Sequence, residues 1–288
     1  MGLLWIYAHP DDESFGGAGM FAWAKEQGLT TGLVCATRGE SGQISDPALA
    51  TPVTLGAVRE MELRRAMNVV ELSDLRIMNY RDSGMAGTPE NEDPRALINA
   101  PREEAIAYLV GHIRDLRPET VITFGPDGVY GHPDHVYVGD AAGEAVLQAA
   151  EATMPGLGEP WRVTALYHVC VPRDVLLAYR ERPDGPFKDM SEEDVQRMGT
   201  PAEEITHWVD TIDYIDIARR TVLQHTTQIP NPSDFSAETE LAVTRLRYQQ
   251  LKRIALPWDE KVQSTDAIDY LQQQHPNRSR VANAPTQA

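Results

Sequence analysis

A histidine and three acidic residues fall within five positions near the start of the chain. The stretch YAHPDDES contains His9, Asp11, Asp12 and Glu13, and it directly follows the apolar run Leu3–Ile6. Carboxylates this close together repel one another, and each raises the pKa of its neighbours. A turn that concentrates so much negative charge after a strand therefore needs a cation to neutralise it.

A second cluster of metal-binding residue types follows another apolar run. After Thr120–Phe124 comes GPDGVYGHPDHVYVGD, in which His132 and His135 have the same i, i+3 spacing as His9 and Asp12. Residues three apart at a helix start lie on one side, so their side chains can converge on one ion. Two such turns on neighbouring strands would bring His9, Asp12 and His135 around a divalent metal.

Two imidazoles and one carboxylate form a donor set that suits zinc, and three protein ligands leave the open position typical of a catalytic site. Calcium would prefer oxygen ligands alone, whereas Fe²⁺ or another first-row ion would also suit this set. Either cluster alone is typical of an ordinary helix start, because acidic residues there complement the helix dipole. The matching spacing after two strands favours a metal site, and this context is missing around His112, His168, His207 and His275.

Strand-like and helix-like stretches alternate along the first part of the chain. Runs rich in Val, Ile, Leu and Thr predict strands at Leu3–Ala8, Thr31–Ala36, Asp74–Asn79, Thr120–Phe124 and Val163–Val171. Amphipathic or alanine-rich stretches predict helices at Ser14–Gln27, Thr54–Leu72, Arg102–Arg117, Asp134–Thr153, Ile212–Gln228 and Glu238–Ala255. This alternation predicts a mostly parallel sheet with helices on both faces and with ligands bound beyond the carboxyl ends of the strands.

The composition is that of a soluble globular protein. The 288 residues carry a formal net charge of −17, which argues against a nucleic acid or an anionic membrane as partner. Cys35 and Cys170 lie far apart in apolar runs, which favours free thiols and a cytoplasmic location. We also expect no signal peptide and no bilayer-spanning helix, since no apolar stretch has the required length.

The organisation becomes less regular after about residue 172. The Pro-containing stretch RERPDGPFKDMSEED, residues 180–194, predicts a polar surface connection. The final stretch, QQQHPNRSRVANAPTQA, lacks apolar periodicity. We therefore expect a single domain over residues 1–272 and a flexible tail over residues 273–288.

The two clusters resemble the signatures of the PIG-L or LmbE-like family of zinc-dependent N-acetylglucosaminyl deacetylases. These signatures are A-H-P-D-D-E, here Ala8–Glu13, and H-P-D-H, here His132–His135. The likeness extends to ATRGESG, REMEL and RDSGMAGT, at Ala36–Gly42, Arg59–Leu63 and Arg81–Thr88. It implies a Rossmann-like, three-layer α/β/α fold with a mostly parallel sheet and additional C-terminal helices. It also implies a zinc cofactor, with Fe²⁺ or another divalent ion as the alternative.

The resemblance assigns different roles to the two adjacent aspartates. It places Asp12 on the metal together with His9 and His135. Asp11 then becomes the general base, which takes a proton from the attacking water near neutral pH.

Two residues of the second turn also match catalytic positions of the family. His132 would be a protonated partner of the oxyanion or the acid to the leaving amine, and an anion such as Asp134 would keep it charged and oriented. Tyr130 would assist the oxyanion or the substrate.

RDSGMAGT most resembles the branch that deacetylates a glucosaminyl precursor of a low-molecular-weight thiol. That sugar is linked to inositol in mycothiol synthesis and to malate in bacillithiol synthesis. Arg59 and Asp82 match family positions that hold the glucosamine ring, and QHTTQI around Gln228 matches a late motif near the site rim. Gln43 stands where the mycothiol enzyme carries an acid, so the aglycone stays open. An anionic malate would need local cations such as Arg59 or Arg81.

Other functions remain as alternatives. A sister branch of the family cleaves the amide of thiol S-conjugates. Such an amidase, or one that acts on another small-molecule amide, would use the same ion. A two-metal phosphoesterase would normally need more bridging acids, and a non-catalytic sugar-binding module would need no open metal position. The expected partner is a small-molecule amino sugar, without nucleic acid or membrane, and a homo-oligomer is left open.

Overall fold

A computed structural model describes residues 2–181, 191–236, 240–259, 265–274 and 279–280. Its strands are β1 (Gly2–Tyr7), β2 (Thr30–Thr37), β3 (Asp74–Tyr80), β4 (Thr120–Phe124), β5 (Ala165–Val169), β6 (His207–Asp210), β7 (Tyr248–Ile254) and β8 (Ser279–Arg280). In this part of the chain they form one sheet in the order β3-β2-β1-β4-β5-β7-β6-β8. The first five run parallel, whereas β7, β6 and β8 pair antiparallel. The predicted mostly parallel sheet is confirmed.

Helices pack on both faces of this sheet. They are α1 (Asp12–Glu26), α2 (Leu55–Val69), α3 (Arg102–Leu116), α4 (Gly128–Gly131), α5 (Pro133–Ala149), α6 (Arg173–Arg180), α7 (Glu192–Met198), α8 (Ile215–Val222), α9 (Ser233–Ser236), α10 (Glu240–Leu246) and α11 (Ala267–Gln274). α3 packs against α5, and α1 packs against α8 and α10. The Rossmann-like three-layer prediction with additional C-terminal helices is confirmed. None of the helices in the described ranges combines the length and the apolar character needed to cross a membrane.

The central strand β1 is buried along its whole length. Trp5 and Ile6 are fully buried, as expected for a parallel strand that helices cover on both faces. In the sheet register, Trp5 pairs with Leu33 of β2 and with Ile122 of β4. The carboxyl ends of β1 and β4 therefore lie side by side, and the turns that follow them meet at one edge of the sheet.

The prediction of a single helix over Glu238–Ala255 is wrong. Its first two residues lie outside the described ranges, Glu240–Leu246 forms α10, and Tyr248–Ile254 forms strand β7. β7 pairs with β5 on one side and with β6, which the sequence did not predict, on the other. Pairing on both sides satisfies its backbone groups, and this tertiary context outweighs the local helix propensity.

Two further predictions fall partly outside the described residues. In the predicted surface connection, residues 182–190 lie outside them, and α7 begins at Glu192. In the predicted tail over residues 273–288, α11 continues to Gln274, and Ser279–Arg280 forms β8, which pairs with β6. Residues 275–278 and 281–288 of this tail lie outside the described ranges. The single domain over residues 1–272 stays a prediction.

A buried arginine of α3 forms hydrogen bonds with the C-terminal end of α5. Arg114 is 3% exposed. Its guanidinium donates to the carbonyl oxygens of Gln148, Ala149, Glu151, Thr153, Met154 and Gly158. These carbonyls lie at and just after the C-terminal end of α5, where backbone acceptors lack helical partners and a cation is favourable.

We expect Arg114→Met to lower the free energy of unfolding by about 2–4 kcal/mol, because it leaves several buried carbonyls without donors. Urea denaturation followed by circular dichroism measures this. Arg64→Met is the control, since Arg64 is 54% exposed and pairs with Glu60 in the same helix; it should cost less than about 1 kcal/mol. Equal losses in the two variants would contradict the expectation.

Candidate metal centre

The turns after β1 and β4 bring the three predicted metal ligands together. His9 follows β1, and His135 lies in the first turn of α5. His9 Nδ1 and His135 Nε2 are 3.1 Å apart. The two oxygens of the Asp12 carboxylate lie 3.6 Å from His9 Nδ1 and 3.3 Å from His135 Nε2. Two nitrogens and one carboxylate therefore converge on one point.

Hydrogen bonds behind the two imidazoles determine which ring nitrogens carry hydrogen. His9 Nε2 lies 3.0 Å from Asp134 Oδ2, and His135 Nδ1 lies 3.1 Å from the carbonyl oxygen of Gly128. Both partners are acceptors, so we assign the ring hydrogens to these two nitrogens. The lone pairs of His9 Nδ1 and His135 Nε2 then face each other beside the Asp12 carboxylate. Converging electron pairs need a cation, so this donor set fits a divalent metal.

The charges around His9 agree with such a cation site. Burial alone would lower the pKa of His9, but the carboxylates of Asp82, Asp134 and Asp12 hold it well above its ordinary value. Burial alone would raise the pKa of Asp12, but His135 and His9 hold it well below its usual range. Among the protein groups alone, an added proton on His9 Nδ1, donated to His135 Nε2, takes the place of the cation, and metal binding would release it.

Among the described residues, two sets of buried side chains have ligand atoms close enough to share an ion, and neither includes Asp12. One combines His9, His132 and His135, and the other gathers Asp82, His132 and Asp134 around His9. The Asp12 carboxylate accepts one backbone N–H, that of His9 at 2.7 Å. Asp82 accepts two, at 2.8 and 3.2 Å, and Asp134 accepts both the backbone N–H and the hydroxyl of Ser83. We favour the set with Asp12, because the electron pairs there have fewer donors.

Asp11, the predicted general base, has a strained backbone. Its φ of 121° lies in a region that residues with a side chain rarely adopt. Its carboxylate lies 3.2 Å from the Arg59 guanidinium and borders the same cavity as Asp12 and His135. Burial raises the pKa of Asp11 to about 6, although Arg59 opposes the shift. A pKa near the working pH is the range that suits a general base.

His132 differs from the charged form that the sequence predicted. Its Nδ1 accepts the backbone N–H of Asp134 at 3.2 Å, which leaves the ring hydrogen on Nε2. Burial, together with His9 and His135, lowers the pKa of His132 to about 4. The Asp134 carboxylate contacts His9 instead. Among the protein groups alone, His132 is therefore a neutral hydrogen-bond donor.

A cavity of about 330 Å³ connects the metal-binding side chains to the second half of the chain. Asp11, Asp12, Tyr130 and His135 border it on one side. The opposite wall is built by residues of α10 and β7, namely Thr244, Arg245, Tyr248, Gln249 and Gln250. A larger cavity of about 690 Å³ lies along α5, but none of the predicted site residues borders it.

Tyr130 lies at a second strained turn. The preceding residue, Val129, has a φ of 67°, which is unusual for a β-branched side chain. The Tyr130 ring centroid is 5.0 Å from that of His135. Burial, together with Asp12 and Asp11, raises the pKa of Tyr130 well above its ordinary value, so its hydroxyl keeps its proton.

Arg59 and Asp82, predicted to hold the sugar, are each 3% exposed. Besides pairing with Asp11, Arg59 donates to the carbonyl oxygen of Gly39 at 2.9 Å. Asp82 lies 3.6 Å from His9 Nε2; burial would raise its pKa, but His9 holds it well below its usual range. Arg59 thus contacts Asp11, and Asp82 contacts His9. The contact of either side chain with a sugar stays a prediction.

Sequence reasoning misses how Glu13, Asp134 and His225 act. The Asp134 carboxylate contacts His9, and His225 Nε2 lies 2.8 Å from Glu13 Oε1. The stretch QHTTQI was the available signal for His225. Its place along the chain does not reveal which acid it contacts, because that pairing forms only in the folded protein.

Sequence comparison identifies the family. Residues 4–146 match the family PIG-L, described as GlcNAc-PI de-N-acetylase. A protein of Geodermatophilus obscurus, named 1D-myo-inositol 2-acetamido-2-deoxy-alpha-D-glucopyranoside deacetylase, is 38% identical over 251 residues, covering 82% of this chain and 85% of that protein. The chain belongs to the PIG-L family. A protein of the same name from Rhodococcus jostii is 33% identical over 256 residues, covering 83% and 87%. The predicted resemblance to these deacetylases is confirmed.

Solved structures agree on the fold. The conserved protein TT1542 of Thermus thermophilus matches with a TM-score of 0.57 and 24% identity, covering 89% of this chain and 97% of that one. The N,N'-diacetylchitobiose deacetylase of Pyrococcus horikoshii matches with a TM-score of 0.61 and 18% identity, covering 91% and 88%. A zinc-inhibited form of the teicoplanin deacetylase Orf2 matches with a TM-score of 0.51 and 14% identity, covering 88% and 97%.

We expect His135→Ala to lose stoichiometric binding of a divalent metal, because it removes one of the two facing nitrogens. Elemental analysis after dialysis against zinc measures this. His112→Ala is the matched control, since His112 hydrogen-bonds Arg76 and borders neither the cavity nor the converging donors. Full metal content in His135→Ala would contradict the ligand set.

The raised pKa of Asp11 should appear in the pH dependence of stability. Its folded pKa of about 6 exceeds the reference value of 3.8, so its stabilising contribution is complete below about pH 4 and is lost as the pH rises through 6. In the metal-free protein, Asp11→Asn should therefore gain about 2 kcal/mol relative to wild type between pH 4.5 and 7.5. Chemical denaturation at both pH values measures it, and a difference that does not change with pH would contradict the shift.

Proposed function

We propose that this protein is a zinc-dependent hydrolase that removes the N-acetyl group from an N-acetylglucosaminide with an inositol aglycone, in the biosynthesis of a low-molecular-weight thiol. The observation that carries the proposal is the convergence of His9, Asp12 and His135 at a cavity that Asp11 also borders. The names of the relatives from Geodermatophilus obscurus and Rhodococcus jostii support the same substrate.

Zinc suits the site because two imidazole nitrogens and one carboxylate leave room for a further ligand. A zinc ion bound there would polarise the acetamide carbonyl and lower the pKa of water to about 7. Fe²⁺ would suit the same donors and is the alternative. Asp134 supports either ion indirectly, since it holds the ring of His9 through Nε2.

Asp11 has the features of the general base. Its carboxylate borders the cavity next to the metal ligands without contacting their ring nitrogens at hydrogen-bond distance, and in the metal-free protein its pKa of about 6 is already close to neutral pH. The Arg59 guanidinium, 3.2 Å away, restrains the carboxylate. The proton that Asp11 takes from water is then available for the leaving amine, so the same residue serves both proton transfers.

Tyr130 and His132 are the donors we assign to the oxyanion. The Tyr130 hydroxyl stays protonated, and the neutral His132 ring carries its hydrogen on Nε2. Donors that are already oriented stabilise developing negative charge without reorganisation. His132 can fill this role without the positive charge expected from the sequence.

The names of the relatives favour inositol over malate, and polar residues of the cavity wall suit it. The α10–β7 wall contains the polar residues Thr244, Gln249 and Gln250, whose hydrogen-bonding groups suit the hydroxyls of a neutral polyol. Gln249 and Gln250 are consecutive in β7, so their side chains point to opposite faces of the sheet. Two cations that the sequence offered to malate pair with acids, whereas Arg245 of this wall is a cation that an anionic aglycone could contact. Arg59 pairs with Asp11, and Arg81 pairs with Asp93 at 3.2 Å.

We expect Asp11→Asn to bind the metal normally and to lose about 10²–10⁴-fold in kcat, because it removes a base and not a ligand. Acetate release and elemental analysis on the same preparation measure both properties. Asp115→Asn, at an aspartate 64% exposed on the far helix α3, is the control. A near-normal kcat with full metal content would show that another group takes the proton.

We expect acetate release from the inositol glucosaminide to exceed that from the malate glucosaminide by at least about tenfold in kcat/KM, which corresponds to about 1.4 kcal/mol. Parallel assays on both compounds and on a thiol S-conjugate measure this. Cleavage of the conjugate without acetate release from either sugar would replace the deacetylase proposal by the amidase alternative.

A further inference from the structure

A buried polar cluster joins the first helix to the second half of the chain. Glu13, Ser14 and His225 are each 1% exposed or less. His225 Nε2 lies 2.8 Å from Glu13 Oε1 and 3.0 Å from Ser14 Oγ. Ser14 Oγ also donates to the same carboxylate oxygen. Nothing in the proposed chemistry uses this cluster directly, so its burial needs another explanation.

The second oxygen of Glu13 holds the backbone of Asp11. The Asp11 N–H donates to Glu13 Oε2 at 2.9 Å. Asp11 is also the N-cap residue of α1, yet its side chain makes no capping hydrogen bond. A short acidic side chain at this position ordinarily caps its helix. Here Glu13 supplies the backbone contact, and the Asp11 carboxylate is directed to the cavity at a φ of 121°.

His225 is itself fixed from the other side. The following two residues donate to a second buried carboxylate, that of Glu62, through Thr226 Oγ1 at 2.7 Å, Thr227 N at 2.8 Å and Thr227 Oγ1 at 2.6 Å. This segment lies outside residues 4–146, which match the family. If Glu13 only complemented the dipole of α1, it would need no contact with His225, which lies 212 positions away in the sequence.

We propose that His225 and Glu13 are positioning residues for Asp11. The imidazole, with Ser14, orients the Glu13 carboxylate, and that carboxylate keeps Asp11 in its strained conformation, so that its side chain faces the cavity. This inference rests on the proposed function in one respect, which is the role of Asp11 as the general base. A strained residue at a functional site persists only where its surroundings hold it.

The test compares His225→Leu, which removes the donor, with His225→Gln, whose amide can place a donor near the position of Nε2. His207→Leu is the matched control, because His207 also lies near an acid, 3.5 Å from Asp269, but away from the cavity. Each zinc-loaded variant is assayed for kcat and KM and crystallised to measure the Asp11 φ. If His225→Leu does not fold, Ser14→Ala takes its place, because it removes a single oxygen from the cluster.

We expect His225→Leu to keep its metal and KM and to lose about 10–100-fold in kcat, since a misplacement of about 1 Å can cost 10²-fold. His225→Gln should recover most of this loss, and His207→Leu should match wild type. A wild-type kcat in His225→Leu, an unchanged Asp11 φ, or equal losses in the Leu and Gln variants would overturn the inference. If wild type releases no acetate, the proposed function fails, and the Asp11 φ in the crystals still decides the positioning role.

Discussion

The convergence of two imidazole lone pairs and one carboxylate at the edge of the sheet is the constraint on which the rest of the site depends. His9 and His135 can face each other at 3.1 Å only because acceptors behind them hold their other nitrogens. A buried arrangement of this kind is unfavourable unless a cation balances it. The neighbouring carboxylates of Asp82 and Asp134 add negative charge that a cation would balance, and each accepts a hydrogen bond from a backbone N–H group.

The parallel half of the sheet brings the ligands together, and the antiparallel half completes the cavity. Strands β1 and β4 place the two signature turns side by side, as open α/β sheets generally do at their carboxyl edge. Strand β7 then adds the wall that contains Gln249 and Gln250. The segment after α8 reaches back to Glu13 and Glu62 through buried hydrogen bonds. Residues beyond the family match therefore contribute both to the shape of the cavity and to the position of Asp11.

The features that could be predicted from the sequence are those encoded locally. The i, i+3 spacing of His9 and Asp12 after an apolar run indicates both a helix start and a pair of converging ligands, and the structure brings them together as expected. β7 could not be predicted, because its strand conformation comes from neighbours far away in sequence. The partner of His225 and the neutral form of His132 depend equally on tertiary contacts and burial.

Anomalous X-ray diffraction from zinc-loaded crystals, recorded at the zinc edge, tests the central claim most directly. One peak should lie within about 2.0–2.2 Å of His9 Nδ1, His135 Nε2 and an Asp12 oxygen, the distances of zinc to imidazole and carboxylate ligands. A peak among His9 Nε2, Asp82, His132 and Asp134, or no peak at this edge of the sheet, would contradict it.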